Sequence, residues 1–237
     1  MKQLLSLLTC LCMVTGFSFA QSSLPAQIQF NYEVVQQMNI KNGEQSGTNT
    51  YYFTTNGDFT AIKSSTGDNG MSMLIYTKDG SGWLVDDARK TITGVSMNKV
   101  MTGMAMKGNK NPKTKPARTL TPTGKTKKIC GREAVEYQLQ SEKGTTNFWY
   151  VPVEFPTARL YTAGIGGAGL SKLGATANPL GTAVDKNYLV AEVENGGQKA
   201  IETKSITKTA FSFSTAGYTI KDLRGKSLGG IIKEQSK

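Results

Sequence analysis

The sequence contains no histidine at all, and only three cysteines and two tryptophans. Without imidazole there is no Ser-His-Asp or Cys-His nucleophile, no histidine zinc site and no ordinary proton carrier near neutral pH. Two of the cysteines, Cys10 and Cys12, lie in the N-terminal apolar stretch, which leaves Cys130 alone in the rest of the chain. A lone cysteine forms no internal disulfide and no thiolate metal cage, so the body must be held by ordinary burial. Long hydrophobic runs are also missing. The stretch after Met1-Lys2-Gln3, LLSLLTCLCMVTGFSFA, is too short to span a bilayer. One positive charge, an apolar core and the small-residue exit Ser18-Phe19-Ala20 predict a signal peptide over residues 1–20, cut between Ala20 and Gln21. Thr9 and Leu11 do not make the small-residue approach of a lipidated cysteine. The expectation is a soluble exported protein, periplasmic or secreted, with residues 21–237 as a single domain.

Acidic residues are scarce: 17 Asp and Glu stand against 28 Lys and Arg, for a formal charge of +11. The deficit is concentrated in NKVMTGMAMKGNKNPKTKPARTLTPTGKTKK, residues 98–128, which holds no acidic residue. Its prolines at 112, 116 and 122 exclude a regular helix or central strand along its whole length, so a basic loop is expected over about 98–128. Lys107, Lys110, Lys113, Lys115, Arg118, Lys125, Lys127 and Lys128 would form an anion-attracting arm, with Arg132 just beyond it. No aromatic residue lies between Thr102 and Arg132 to stack on bases. That argues against nucleic acid and leaves an anionic membrane surface as the partner the charge suits, beside a merely solvated excursion.

What the sequence has in quantity is strand. AQIQFNYEVVQQMNI places Ile28, Phe30, Tyr32 and Val34 on one alternating face, and TNTYYFTT follows after a turn. Asn56-Gly57-Asp58 then makes a tight hairpin. FTAIKSS, MSMLIYT, GWLVDD and KTITGVSM continue at even spacing between Gly, Asn and Asp turns, which describes an antiparallel meander. Strands resume with CGREAVEYQLQ and TTNFWYVPV, and again with NYLVAEVE and QKAIETKSITKT around an NGG turn. AFSFSTAGYTI reads as a last strand, before a short C-terminal helix. A Gly/Ala-rich connection is expected over about 156–182.

Gly124-Lys125-Thr126 has the ending of a phosphate-binding loop, but Thr119 stands where the first glycine should be. Pro122 deletes a backbone N–H, and the segment leads into a strand instead of a helix, so no nucleotide is expected. Met97, Met101 and Met104 follow helical spacing with Val100 beside them, and Met106 extends the group. Three readings stand: a small lid helix over an apolar cavity, a thioether Cu(I) site, or flexible side chains filling a core edge. Trp83 and Trp149 are candidate core or rim aromatics. Asp86 and Asp87 are adjacent, so in a strand they point apart and end it without forming an acid/base pair.

The order YYFTTNGDFTAI, WLVDDARKTITGV, TPTGKTKKICGREAVEYQLQSEKGTTNFWYV and FSFSTAGY resembles the bacterial family of domains of unknown function numbered 4412. That family looks related to periplasmic lipoprotein carriers, in which a half-open antiparallel barrel holds acyl chains under a helical lid. The resemblance implies no catalytic residues. The expected fold is mainly β, a curved antiparallel sheet or half-open barrel with a few short helices. The expected function is a non-enzymatic envelope binding protein for a lipid, a lipoprotein acyl chain or another apolar ligand, without a cofactor or resident metal. Met97, Val100, Met101, Met104, Met106, Trp83 and Trp149 are its candidate ligand contacts. The alternatives are an interaction module whose barrel is filled by its own side chains, and a methionine-based Cu(I) binder.

Overall fold

The computed structural model describes residues 24–39, 46–65, 72–97, 120–141, 144–157, 160 and 187–226. The first half of the chain gives strands β1 (Gln27–Gln29), β2 (Tyr32–Met38), β3 (Gly47–Phe53), β4 (Phe59–Ser64), β5 (Met73–Thr77), β6 (Ser81–Asp86) and β7 (Thr91–Ser96). The second half gives β8 (Leu120–Ile129), β9 (Arg132–Ser141), β10 (Gly144–Pro152), β11 (Tyr188–Asn195), β12 (Gln198–Lys208), β13 (Ser212–Ser214) and β14 (Thr219–Asp222). Twelve strands form one sheet in the order β14-β7-β6-β5-β4-β3-β2-β12-β11-β10-β9-β8, and β1 with β13 forms a second. Every pairing is antiparallel except β14 on β7. The protein is therefore mainly β, a large curved sheet that does not close, as a half-open barrel requires. Helical backbone among the described residues is confined to Met97 and Leu160.

The turns follow from local chemistry. At the β3–β4 hairpin Gly57 has φ +70°, and Asn56 Oδ1 accepts the Asp58 N–H at 3.1 Å. Asp86 ends β6 by accepting the Arg89 N–H at 2.8 Å, the strand-stopping role its position suggested. Between β8 and β9 only Cys130 (φ 50°) and Gly131 (φ 75°) intervene, a two-residue turn with both residues left-handed.

Three elements differ from the sequence expectations. The first expected strand is two: the Phe30 N–H donates to Phe211 O and the Asn31 N–H to Phe53 O, so the chain changes sheets here. Ile28 and Phe30 consequently enter a different core from Val34. The last expected strand is also two, β13 and the parallel β14, divided by a turn whose Tyr218 N–H donates to Thr215 O. The basic loop expected over 98–128 is strand from Leu120, where β8 begins, and residues 98–119 lie outside the described ones. Pro122 is tolerated because β8 is an edge strand, and its ladder to β9 shifts between Pro122 and Thr126 around Gly124 (φ +78°).

Alternation assigns the faces. Val34, Tyr51, Ile62, Leu74 and Leu84 are successive ladder partners from β2 to β6. Met38, Ile201, Val193, Phe148 and Tyr137 continue the same face of β2 toward β9. One apolar face thus runs across the sheet. The other face is divided. On β3–β6 it carries Tyr52, Ala61, Ile75 and Trp83, buried beneath Leu24, Ile28, Phe30 and Phe213 of the small sheet and its flanks. On β9–β12 it carries Glu136, Trp149, Glu192 and Glu202.

The sheet bends toward its apolar face. Phe155, just past β10, lies with its ring centroid 4.4 Å from Phe53 and 4.8 Å from Tyr32, although three strands separate β10 from β3. The β11–β12 ladder extends only from Glu192/Glu202 to Asn195/Gln198, so the two strands part beyond that point. Gln36 bridges the split by donating from Nε2 to Val190 O at 2.8 Å and to Thr203 Oγ1 at 3.0 Å.

Glycine is required where a ring crosses the strand. A Cβ on Gly94 would stand 2.6 Å from Cζ3 and 2.9 Å from Cε3 of Trp83, whose side chain is fully buried. Gly94→Ala is expected to lower stability by about 1–3 kcal/mol through overpacking. A chemical-denaturation midpoint unchanged from the parent protein would contradict that packing.

Candidate functional site

The apolar face is densest where β2–β5 meet the segment after β10. Val34, Tyr51, Phe53, Ile62, Tyr76, Val153, Phe155 and Leu160 belong to one buried cluster, with Trp149, Val151, Leu189 and Ala191. Tyr32, Leu74, Met97 and Ile206 pack on it half-buried. Met97 is positioned by the absence of a side chain at Gly82: a Cβ there would stand 2.7 Å from its sulfur. Gly82 is the ladder partner of Tyr76, so the thioether and the phenol are neighbours on this face. Tyr51 accepts a hydrogen bond from Asn49 Nδ2 at 3.3 Å, while burial pushes its phenol up. Burial alone pushes the Tyr76 phenol far up.

Alternation puts Trp149 on the side of β10 away from Phe148 and Tyr150, between Glu136 on β9 and Glu192 on β11, on the side that also joins the main cluster through Val151 and Leu189. Both carboxylates are about 3 % exposed. Lys127 of β8 lies 4.0 Å over the Trp149 ring and bonds Glu192 Oε1, with Glu194 Oε1 at 3.6 Å. Lys199 holds the second Glu192 oxygen at 2.8 Å and reaches Glu202 at 3.5 Å; Lys204 holds Glu202 at 2.6 Å. Glu136 accepts from the Thr123 hydroxyl at 2.6 Å and faces Lys125 at 3.5 Å. Burial works against the charge on Glu192, but hydrogen bonds from Lys127 and Lys199 outweigh it and hold the carboxyl below its usual range. The hydrogen bond with Glu192, then burial, pushes Glu194 up. Each buried carboxylate is answered by an ammonium group, so the lattice ties β8, β9, β11 and β12 together.

These placements sort the sequence candidates. Met97 packs half-buried on the main cluster. Trp83 does not join it: the ring is on the other face, packed over Gly94 with the Arg224 guanidinium 4.8 Å away. Trp149 contributes to the main cluster but is covered by Lys127. Lys125 and Lys127 are engaged with buried carboxylates, which corrects the expectation of a free anion-seeking arm at these two positions. Lys128 is exposed on β8. Val100, Met101, Met104, Met106, Lys107, Lys110, Lys113, Lys115, Arg118 and the cleavage pair Ala20–Gln21 lie outside the described residues. Sequence reasoning missed Glu136 and Glu192. Glu136 and Glu192 meet only through strand pairing, although each stands among apolar neighbours in an alternating strand, the one signal available.

No family model matches the chain, and no curated relative matches it. Among solved structures the chain is similar to PNGF-II in a C2 crystal form, with TM-score 0.45, 13% identity, and coverage of 89% of this chain and 33% of that one. The P21 form of PNGF-II gives TM-score 0.43 and 15% identity over 88% and 34% of the two chains. An uncharacterised conserved protein from Thermus thermophilus gives TM-score 0.41 and 6% identity over 81% and 90%. The chain spans about a third of the length of PNGF-II. Likenesses of this degree have no bearing on function.

Lys127→Gln should destabilise the fold by about 1–3 kcal/mol, less than the roughly 3–5 kcal/mol for breaking a buried pair outright, because Lys199 still faces Glu192. The same lattice sets an acid limit. Glu192 and Glu202 are held below the ordinary 4.5, so their contribution is present above that pH and is lost as pH falls through their folded values. Glu194, raised, offsets part of this with the opposite sign. Thermal melts of parent and variant should converge as the pH is lowered well below 4.5; a constant difference down to acid unfolding would refute the lattice as its cause.

Proposed function

We propose that this chain is an exported, non-enzymatic protein of the cell envelope that binds an apolar ligand, a lipid or an acyl chain, along the apolar face of its half-open sheet. One observation carries the reading: a single face stays apolar from β6 to β9 while the opposite face is divided between a covered apolar half and an ionic half. A sheet needs only one buried face to be stable, and among the described strands β8 and β14 are the two unjoined ends of the main sheet. Met97 and Leu160, the described residues next to the methionine-rich and Gly/Ala-rich segments, both pack on that face. Burial of apolar area would drive capture, and the net positive charge would favour delivery at anionic membrane surfaces. The resemblance to the family numbered 4412, and through it to lipoprotein carriers, points the same way.

The assay is binding of 1-N-phenylnaphthylamine to the folded protein lacking residues 1–20. The expected result is a saturable fluorescence gain, displaced by long-chain lipid, and lipid recovered by organic extraction of the purified protein. A cooperatively folded protein that shows neither would overturn the reading in favour of an interaction module filled by its own side chains.

A further inference from the structure

We propose that the seam between β11 and β12 is a gate, and that ligand reaches the apolar interior when these two strands swing apart; this rests on the apolar-ligand reading above. The side chains of that interior are already sealed. Val34, Phe53, Phe155 and Leu189 are at most 1 % exposed, so a ligand enters only where the wall moves. β11 and β12 pair from Asn195/Gln198 to Glu192/Glu202 and then separate, although β11 reaches back to Tyr188 and β12 runs on to Lys208. The ladders on either side do not stop there. β10 holds β11 as far as Pro152/Tyr188, and β2 holds β12 as far as Lys208/Tyr32. The sheet is thus two stiff parts, β8–β11 on one side and β12 with β2–β7 on the other. The Gly196-Gly197 hairpin joins them at one end and is the natural pivot.

Past Glu192/Glu202 the seam is crossed by side chains. Gln36 of β2 donates from Nε2 to Val190 O and to Thr203 Oγ1, and so clasps both strands. The Cys130 thiol, from the β8–β9 turn, is a weak donor and reaches Thr203 O at 3.5 Å. Apolar packing adds to these. Phe155 travels with β10 and β11, because the Val153 N–H donates to Asn187 O and the Thr157 hydroxyl to Tyr188 O at 2.6 Å. Its ring lies on Tyr32 and Phe53, which belong to the other part. The main cluster spans both parts, with Val151, Leu189 and Phe155 on one and Val34, Tyr51 and Ile62 on the other. Parting the strands at their open end breaks a few side-chain bonds and withdraws Phe155 from two rings. The aromatic surface left behind is what a hydrocarbon chain would then cover.

The test follows uptake and release of 1-N-phenylnaphthylamine by stopped-flow fluorescence, in the protein lacking residues 1–20 and carrying Cys130→Ser. Two sets of changes act on the gate in opposite directions. Val190→Cys with Thr203→Cys puts two thiols where one amide nitrogen already reaches both residues, close enough for a disulfide. Oxidised, this variant should take up and release the dye about tenfold or more slowly than after reduction with dithiothreitol. Gln36→Leu removes the clasp. It should speed uptake and release alike by about tenfold, the scale of one or two lost hydrogen bonds, and leave their ratio unchanged. Equal rates before and after reduction would overturn the gate while leaving apolar binding intact. Faster release without faster uptake in Gln36→Leu would mark Gln36 as a ligand contact and likewise overturn it. A parent protein that takes up no dye would overturn the apolar-ligand reading and the gate with it.

Discussion

Side chains along a strand point alternately to the two sides of a sheet, so a slip of one residue in a ladder between β9 and β12 would exchange the apolar row for the carboxylates behind it. Holding that alternation in phase is the constraint on which the rest of this fold depends. It is kept through irregular pairing. The ladders shift at Trp149/Tyr150, at Val193/Glu194 and at Thr203/Ser205, yet Phe148, Val193, Ile201 and Met38 remain in line. Each shift adds bend while restoring register, which is how so broad a sheet curls toward its apolar side. The split between β11 and β12 is the cost of that bend, and Gln36 restores the lost bonding with a side chain.

Much of this was legible in residue order, and the part that was not has a physical reason. The Asn56-Gly57-Asp58 turn and the Gly196-Gly197 turn carry left-handed backbone that only a few residues take readily, so their hairpins could be read locally. The Cys130-Gly131 turn uses the same geometry with a residue that does not advertise it. β8 was hidden because proline, glycine and lysine disfavour strands in general but protect an edge strand in particular. Ile28, Phe30 and Val34 share a period yet not a face, since the sheet change at Asn31 is decided by Phe211 and Phe53, remote in sequence. At the candidate site Met97 could be named from its spacing; that it rests over Gly82, beside Tyr76, is a property of strand pairing and is written in no single strand.

The ionic lattice changes the meaning of the positive charge. Among the described residues, lysines of β8 and β12 lie over carboxylates that are almost wholly sealed from water. A buried carboxylate is tolerable only with its counter-charge in place, so Lys127 and Lys199 serve as keystones before they serve as surface charge. Trp149 contributes the floor on which Lys127 rests. Anion attraction by this protein consequently cannot be counted from its lysine content, because part of that content is already spoken for inside the fold.

The small sheet has a consequence for how the molecule assembles. Gln27 on β1 bonds Ser212 on β13, a separation of 185 residues, and their pairing buries the outer half of the core. A polypeptide emerging from one end must therefore wait for almost its entire length before the first strand finds its mate. Contacts this distant form slowly. The early strands meanwhile wait with one greasy flank uncovered, because the residues that cover it arrive last.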